Sequence, residues 1–229
     1  MAARAAELAS ILTFMAQIFH RSANTLSRVT IFGAVFIAGF VLWAIGGIVR
    51  SGYFTNQGVH RQQPIQFSHQ HHVGGLGIDC RYCHTSVETS SFAGIPPTST
   101  CMNCHAQIWT NAEMLAPVRN SFATGQRIVW SRVHRLPDFV HFNHSIHIAK
   151  GIGCASCHGR VDKMNLMYQA QPLTMQWCLS CHREPEKHIR PREEVFNMNY
   201  VAVNQTEVGP KLVEAYGVKK LTSCSTCHY

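Results

Sequence analysis

Ten cysteines dominate this 229-residue chain, and none of them stands alone. They fall at Cys80 and Cys83, Cys101 and Cys104, Cys154 and Cys157, Cys178 and Cys181, and Cys224 and Cys227. Each pair has the form C-x-x-C and is followed at once by a histidine: His84, His105, His158, His182 and His228. A disulfide framework would not require that histidine. Structural zinc takes its other ligands at longer spacings, and a redox C-x-x-C rarely recurs five times in one chain. The chain has 15 histidines, so five such placements by accident have a chance of about one in a million. C-x-x-C-H is the attachment motif of c-type haem. The two thiols add across the porphyrin vinyl groups, and the adjacent histidine projects to the iron. The expectation is five covalently bound haem c groups, held by the ten cysteines, with those five histidines as proximal iron ligands. Attachment needs reduced thiols and takes place outside the cytoplasm, which puts the haem-bearing part on the extracytoplasmic side.

Haem also changes how the charge is read. The formal net charge is +8. Beyond Arg50 there remain 16 Lys and Arg against 11 Asp and Glu, and five haems add about ten propionate charges. The loaded domain is then near neutral, and no basic patch interleaved with aromatics points to nucleic acid.

"VTIFGAVFIAGFVLWAIGGIV", Val29 to Val49, carries no charge and is bracketed by Arg28 and Arg50. It spans roughly 31 Å as a helix, the thickness of a bilayer core. No small-x-small cleavage site follows it, so an uncleaved signal-anchor is expected. With the haems outside, the N-terminus lies inside, at the cytoplasmic (inner) membrane. Leu8, Ile11, Leu12, Met15, Ile18 and Phe19 repeat at helical spacing, as an interfacial or partner-contacting helix would. The expected organisation is an N-terminal segment 1–28, a membrane helix 29–49, a linker 50–66 and a pentahaem domain 67–229. The fold class is a mostly irregular and α-helical multihaem cytochrome c fold with little regular secondary structure. About 36 residues per haem cannot build an ordinary side-chain core, so stacked haems must supply it. Within the domain, Gln107–Arg119 is expected to form a helix carrying Ile108, Trp109 and Leu115 inward. "RIVWSRVH", Arg127–His134, looks like a strand, and "HREPEKHIRPREE", His182–Glu194, like a charged loop.

The domain contains an internal repeat. "FSHQHHVGGLGIDCRYCH", Phe67–His84, and "FNHSIHIAKGIGCASCH", Phe142–His158, share F-x-H-x-x-H, a glycine turn and C-x-x-C-H. Each leads to a second motif introduced by proline and threonine, which gives two di-haem modules, 67–105 and 142–182, and a lone fifth motif at 224–228. An iron with a proximal histidine has one axial position left. The repeat aligns His69 with His144 and His72 with His147, which makes these four the candidate distal ligands. Three residues apart on one helical turn, the members of each pair can point at different irons. His71 has no counterpart. The fifth distal ligand is His134, with His141 or a methionine (Met164, Met167, Met175, Met198) as rivals.

The F-x-H-x-x-H…C-x-x-C-H unit resembles the multihaem cytochromes of the c3/c7 class, in which the two paired histidines ligate different haems. The longer string "WSRVHRLPDFVHFNHSIHIAKGIGCASCHGRVDKMNLMYQAQPLTMQWCLSCHREPE", Trp130–Glu186, closely resembles the pentahaem cytochrome c subunits of bacterial alternative complex III, a quinol:electron-acceptor oxidoreductase. The resemblance covers nearly all of residues 28–229. It implies an electron-relay subunit in a membrane complex. The implied partners are an iron–sulfur subunit, quinol-binding membrane subunits and a monohaem cytochrome c. A stand-alone multihaem quinol dehydrogenase usually has one haem fewer and a motif soon after its membrane span, whereas here Cys80 lies 30 residues after Arg50. A multihaem reductase needs an open iron, often with an altered motif, and all five motifs here are regular. No catalytic residue is expected on this chain alone.

Overall fold

Residues 29 to 49 offer no charge or proline to interrupt a helix. The computed structural model, which describes residues 18–229, makes them part of one helix, α1, Ser22–Arg50. Thr30 returns its hydroxyl to the Leu26 carbonyl at 2.9 Å, so its polar group is satisfied within the helix. Phe32, Phe36, Leu42 and Trp43 are all exposed. The helix is long and apolar enough to cross a membrane. It begins seven residues earlier than the apolar run itself. The expected interfacial helix falls largely on residues 1–17, outside those described. Ile18 and Phe19 within that stretch are exposed.

Residues 50–229 form a second unit, built from short helical pieces separated by turns. In chain order these are α2, Gly52–Thr55; a π-helical turn, Gln70–Gly75; α3, Cys80–Cys83; α4, Thr98–His105; α5, Ala116–Thr124; α6, His144–Ala149; α7, Cys154–His158; α8, Met175–Arg183; and α9, Gln205–Ala215, with 3-10 turns between and after them. Among the described residues there is no strand, only isolated bridges such as Ile152 with Ile189. The stretch 50–66, expected as a linker, is bonded into this unit. Gly58 donates its N–H to the carbonyl of buried Gln169 at 2.8 Å, and the Gln169 side chain returns a bond to the Thr55 carbonyl at 2.9 Å.

Three local expectations are corrected. The helix over Gln107–Arg119 is broken: the chain turns after α4, with Trp109 in the left-handed region at φ 54°. Leu115 is buried as expected, but Ile108 and Trp109 are exposed. Arg127–His134 is not in a strand. The Gln63 side chain clamps the Ser131 main chain from both sides, at 2.8 Å each, so ladder pairing is replaced by one amide. The charged stretch after His182 contains Ile189, which with nearby Val195 is the most deeply buried apolar residue, at 1% exposure each. Two 3-10 turns, Pro185–Lys187 and Arg192–Glu194, fold the charges outward around them.

The modules interlock by exchange. In the second, Ser145 N–H bonds the carbonyl of Ser90, six residues past His84, at 3.1 Å. In the first, Gln70 N–H bonds the carbonyl of Met164, six residues past His158, at 3.0 Å. Gln70 and Ser145 are equivalent positions in the repeat. Each H-x-x-H segment therefore docks on the loop that follows the other module's first motif. Gly74 makes one of these approaches possible, because a β-carbon there would run into the Asp162 carbonyl. Backbone cannot give way as a flexible side chain can. Gly74→Ala should therefore destabilise the domain by about 1–3 kcal/mol, read as a lowered thermal midpoint of the haem-loaded protein.

Buried apolar side chains are few: Ile65, Val87, Leu115, Val118, Met164, Ile189 and Val195 among the described residues. Ile65, Leu115 and Val118 form one small cluster beside Cys101 and Met102 of α4. Seven such residues do not make a core for some 180 residues.

Candidate metal centres

Each C-x-x-C-H motif lies in or at the end of a helical turn, which brings the two cysteines and the histidine to one side. Asp79 caps α3 by accepting from Arg81 N–H at 2.8 Å, and Thr174 caps α8 by accepting from Trp177 N–H at 3.4 Å. No two of the ten cysteines are joined in a disulfide. Burial, then neighbouring thiols, pushes Cys157 up to about 12, and burial pushes Cys154 up to about 11. A redox C-x-x-C pair requires the opposite shift.

The histidine rings carry more geometry. In the first module Phe67 stacks on His72 with centroids 4.4 Å apart and meets His69 edge-on at 4.9 Å. In the second, Phe142 stacks on His147 at 4.4 Å and meets His144 edge-on at 4.8 Å. The phenylalanine of F-x-H-x-x-H is thus a wedge that sets both rings. Its repetition in the sequence was the signal for such a role, and the sequence reading assigned it none. The second histidine of each pair is fixed again from behind, His72 Nδ1 to the Ser68 carbonyl at 2.9 Å and His147 Nδ1 to the Asn143 carbonyl at 2.7 Å. Against a carbonyl, Nδ1 must be the donor, which leaves Nε2 with a free lone pair. The same device holds His84 on Gly94, His105 on Ile108, His144 on Ser91 and His228 on Phe139, at 2.7 to 3.2 Å.

Three pairs of rings face each other at nearly one distance. His72 and His105 have centroids 6.2 Å apart, His147 and His182 6.2 Å, and His144 and His158 6.3 Å. An imidazole nitrogen binds a first-row metal at about 2 Å and lies about 1.2 Å from its ring centre, so two imidazoles on opposite sides of one ion would have centres about 6.4 Å apart. The interplanar angles, 65°, 69° and 10°, are compatible because each ring can rotate about the metal–nitrogen axis. These separations fit a haem iron between the two rings of each pair. Among the described residues no three His, Cys, Asp or Glu side chains gather as a bare metal ion would need. The arrangement is one of pairs.

Burial favours the neutral form, the one that can donate a lone pair, at His72, His147, His158 and His69. His158 is lowered to about 3, first by burial and then by His134 and His144 beside it. His69 is lowered to about 4, mainly by burial. Its Nδ1 is buried without a hydrogen-bond partner, which costs about 1–3 kcal/mol unless another group meets the ring.

His134 differs from the other four distal candidates. Its Nε2 lies 3.1 Å from Nδ1 of His158, on the far side of that ring from the nitrogen left for iron. Burial lowers His134 to about 4. The two ring centres are 4.3 Å apart, so His134 does not share the 6.2 to 6.3 Å spacing of the three pairs. His141 stacks on Tyr229 at 4.3 Å, and His71 on Trp109 at 5.8 Å. Of the methionines, Met164 is a buried core residue and Met175 is exposed.

Phe142 touches both His144 and His147, so its removal should be felt at two irons. Phe142→Ala is expected to leave every haem attached and to shift two low-spin signals in electron paramagnetic resonance, with the rest unchanged. Phe142→Tyr, which keeps the ring, should shift neither.

Comparison with known proteins agrees with this geometry. Residues 140–229 match the family described as cytochrome c7 and related cytochrome c. A multiheme cytochrome c subunit of menaquinone reductase from Nitratidesulfovibrio vulgaris Hildenborough is 36% identical over 99 residues, which is 43% of this chain and 46% of that protein. The match thus spans about half of the relative's length. The chain carries a c7-like multihaem cytochrome c domain with covalent haem c, together with one apolar helix that could anchor it in a membrane.

Proposed function

We propose that this chain is a pentahaem electron relay, anchored in the cytoplasmic membrane by α1 with its N-terminus inside, in a quinol:acceptor oxidoreductase of the alternative complex III kind. It would take electrons from quinol oxidation toward a periplasmic cytochrome c or copper protein. The observation that carries the reading is the three imidazole pairs at 6.2 to 6.3 Å. An iron held by two histidines would have no position open to a substrate and would pass only electrons.

Bound haem supplies a reversible one-electron exchange between ferric and ferrous iron, with no bond made or broken. The residues do the rest. His84, His105, His158, His182 and His228 would hold the proximal positions, and His72, His144 and His147 would hold the distal positions facing His105, His158 and His182. His69 is the repeat equivalent of His144 and is assigned to the iron of His84. The carbonyls of Ser68, Ser91 and Asn143 fix the distal ring planes, and Phe67 and Phe142 pack against those rings. Imidazole on both sides favours the lower range of haem potentials, which suits exchange with a quinone pool.

The same geometry also serves electron flow in the other direction, toward quinone. The name of the 36% identical menaquinone reductase subunit favours that second reading. Haem potentials separate the two: a majority above that of the resident quinone supports oxidation of quinol, and a majority below it supports reduction of quinone. In either direction the purified chain alone should not turn over quinol, while the chain in its membrane complex should. Turnover by the isolated chain would instead favour a stand-alone quinol dehydrogenase.

A further inference from the structure

The five attachment motifs can be ordered in space, and that order is not the order of the chain. Numbered along the sequence, motifs 2 and 1 touch through Asn103, which donates to the Tyr82 hydroxyl at 3.0 Å. Motifs 1 and 3 share a support. Cys154 N–H bonds the Val195 carbonyl at 3.1 Å, and the Arg81 guanidinium lies 4.6 Å over the next residue's ring, Phe196. After burial, Cys80 is the largest influence on Cys154. Motifs 3 and 4 are joined by α6, where His144 faces His158 and His147, one turn on, faces His182. Motif 5 meets the start of the same segment, since His141 N–H bonds the Cys227 carbonyl at 2.9 Å. Cys227 is also the first influence on Cys178 after burial.

Exposure follows the same sequence. Cys104 of motif 2 and Cys224 of motif 5 are the two exposed cysteines, while the other eight are partly buried.

We infer that the haem sites form one row in the order motif 2, motif 1, motif 3, motif 4, motif 5, with His105 and His228 holding the two terminal irons. The inference rests on the relay reading above and adds its direction in space. Electrons enter and leave at the ends, so the redox partners dock at the faces around Cys104 and Cys224, and each electron accepted at one end is matched by one released at the other. The exchange of H-x-x-H segments between modules produces this order, because it brings the first motif of each module to the centre and sends motif 2 outward.

Iron positions in crystals of the haem-loaded chain, located by anomalous scattering, test it. The iron on His105 should have the iron on His84 as its one near neighbour, and the irons on His84 and His158 should be adjacent. A row in chain order, with the iron on His105 between those on His84 and His158, would overturn the inference and leave the relay reading intact. An iron on His84, His105, His158 or His182 with only one protein ligand in the same map would overturn the relay reading instead.

Discussion

A His144→Ala chain should keep all of its haems and lose one low-spin centre, the one held by His158. Attachment depends on the thiols and the proximal histidine, and His144 is neither. The His144 ring faces His158 at 6.3 Å, is oriented by the Ser91 carbonyl at 2.8 Å and is set edge-on by Phe142. Removing it opens one axial position in a buried site, where water or an added ligand can bind. The expected result is a high-spin component of about one-fifth of the iron, with that iron now able to bind carbon monoxide. His147→Ala should do the same at a different centre, the iron on His182, and the double variant should open two. Identical spectra from both single variants and the wild type would show that neither histidine is a ligand.

The second large effect concerns folding itself. Produced without haem attachment, residues 50–229 should remain unfolded. Seven buried apolar side chains among the described residues are too few to offset the conformational entropy of ordering a domain of some 180 residues. The bulk of the apolar burial has to come from the porphyrin faces. Circular dichroism and thermal melting of chain made in the cytoplasm, where the haems are not attached, should show no cooperative transition. A sharp unfolding transition in that material would mean that the polypeptide carries its own core.

Much of the site was legible because covalent attachment is a local requirement. Five C-x-x-C-H motifs must be contiguous in sequence to work, and the H-x-x-H pairs must sit on single helical turns. Both therefore leave a written pattern. The apolar run of α1 is legible for the same reason. What escaped depends on partners distant in sequence. His182–Glu194 reads as a solvated loop from its charges and prolines, yet Ile189 is among the most buried residues because Gly151 and Arg190 bond across 39 residues and α9 closes on the Pro185–Lys187 turn. Trp109 looked helical by spacing, but the chain leaves α4 through a left-handed turn there. His134 resembled a ligand because it was a spare histidine near the second module, and only the structure sets its Nε2 3.1 Å from Nδ1 of His158. The exchange between modules was equally hidden, since Gln70 and Ser145 donate to carbonyls chosen by packing, whatever side chains those residues carry.

The most direct measurement is a spin-state census of the wild-type haem-loaded chain by low-temperature electron paramagnetic resonance, followed by exposure of the reduced chain to carbon monoxide. The account predicts that the four irons assigned a pair of histidines, four-fifths of the total, are low-spin and that carbon monoxide leaves them unchanged. A high-spin signal well above one-fifth of the iron that binds carbon monoxide would mean an open site among those four, and the chain would be an enzyme rather than a relay.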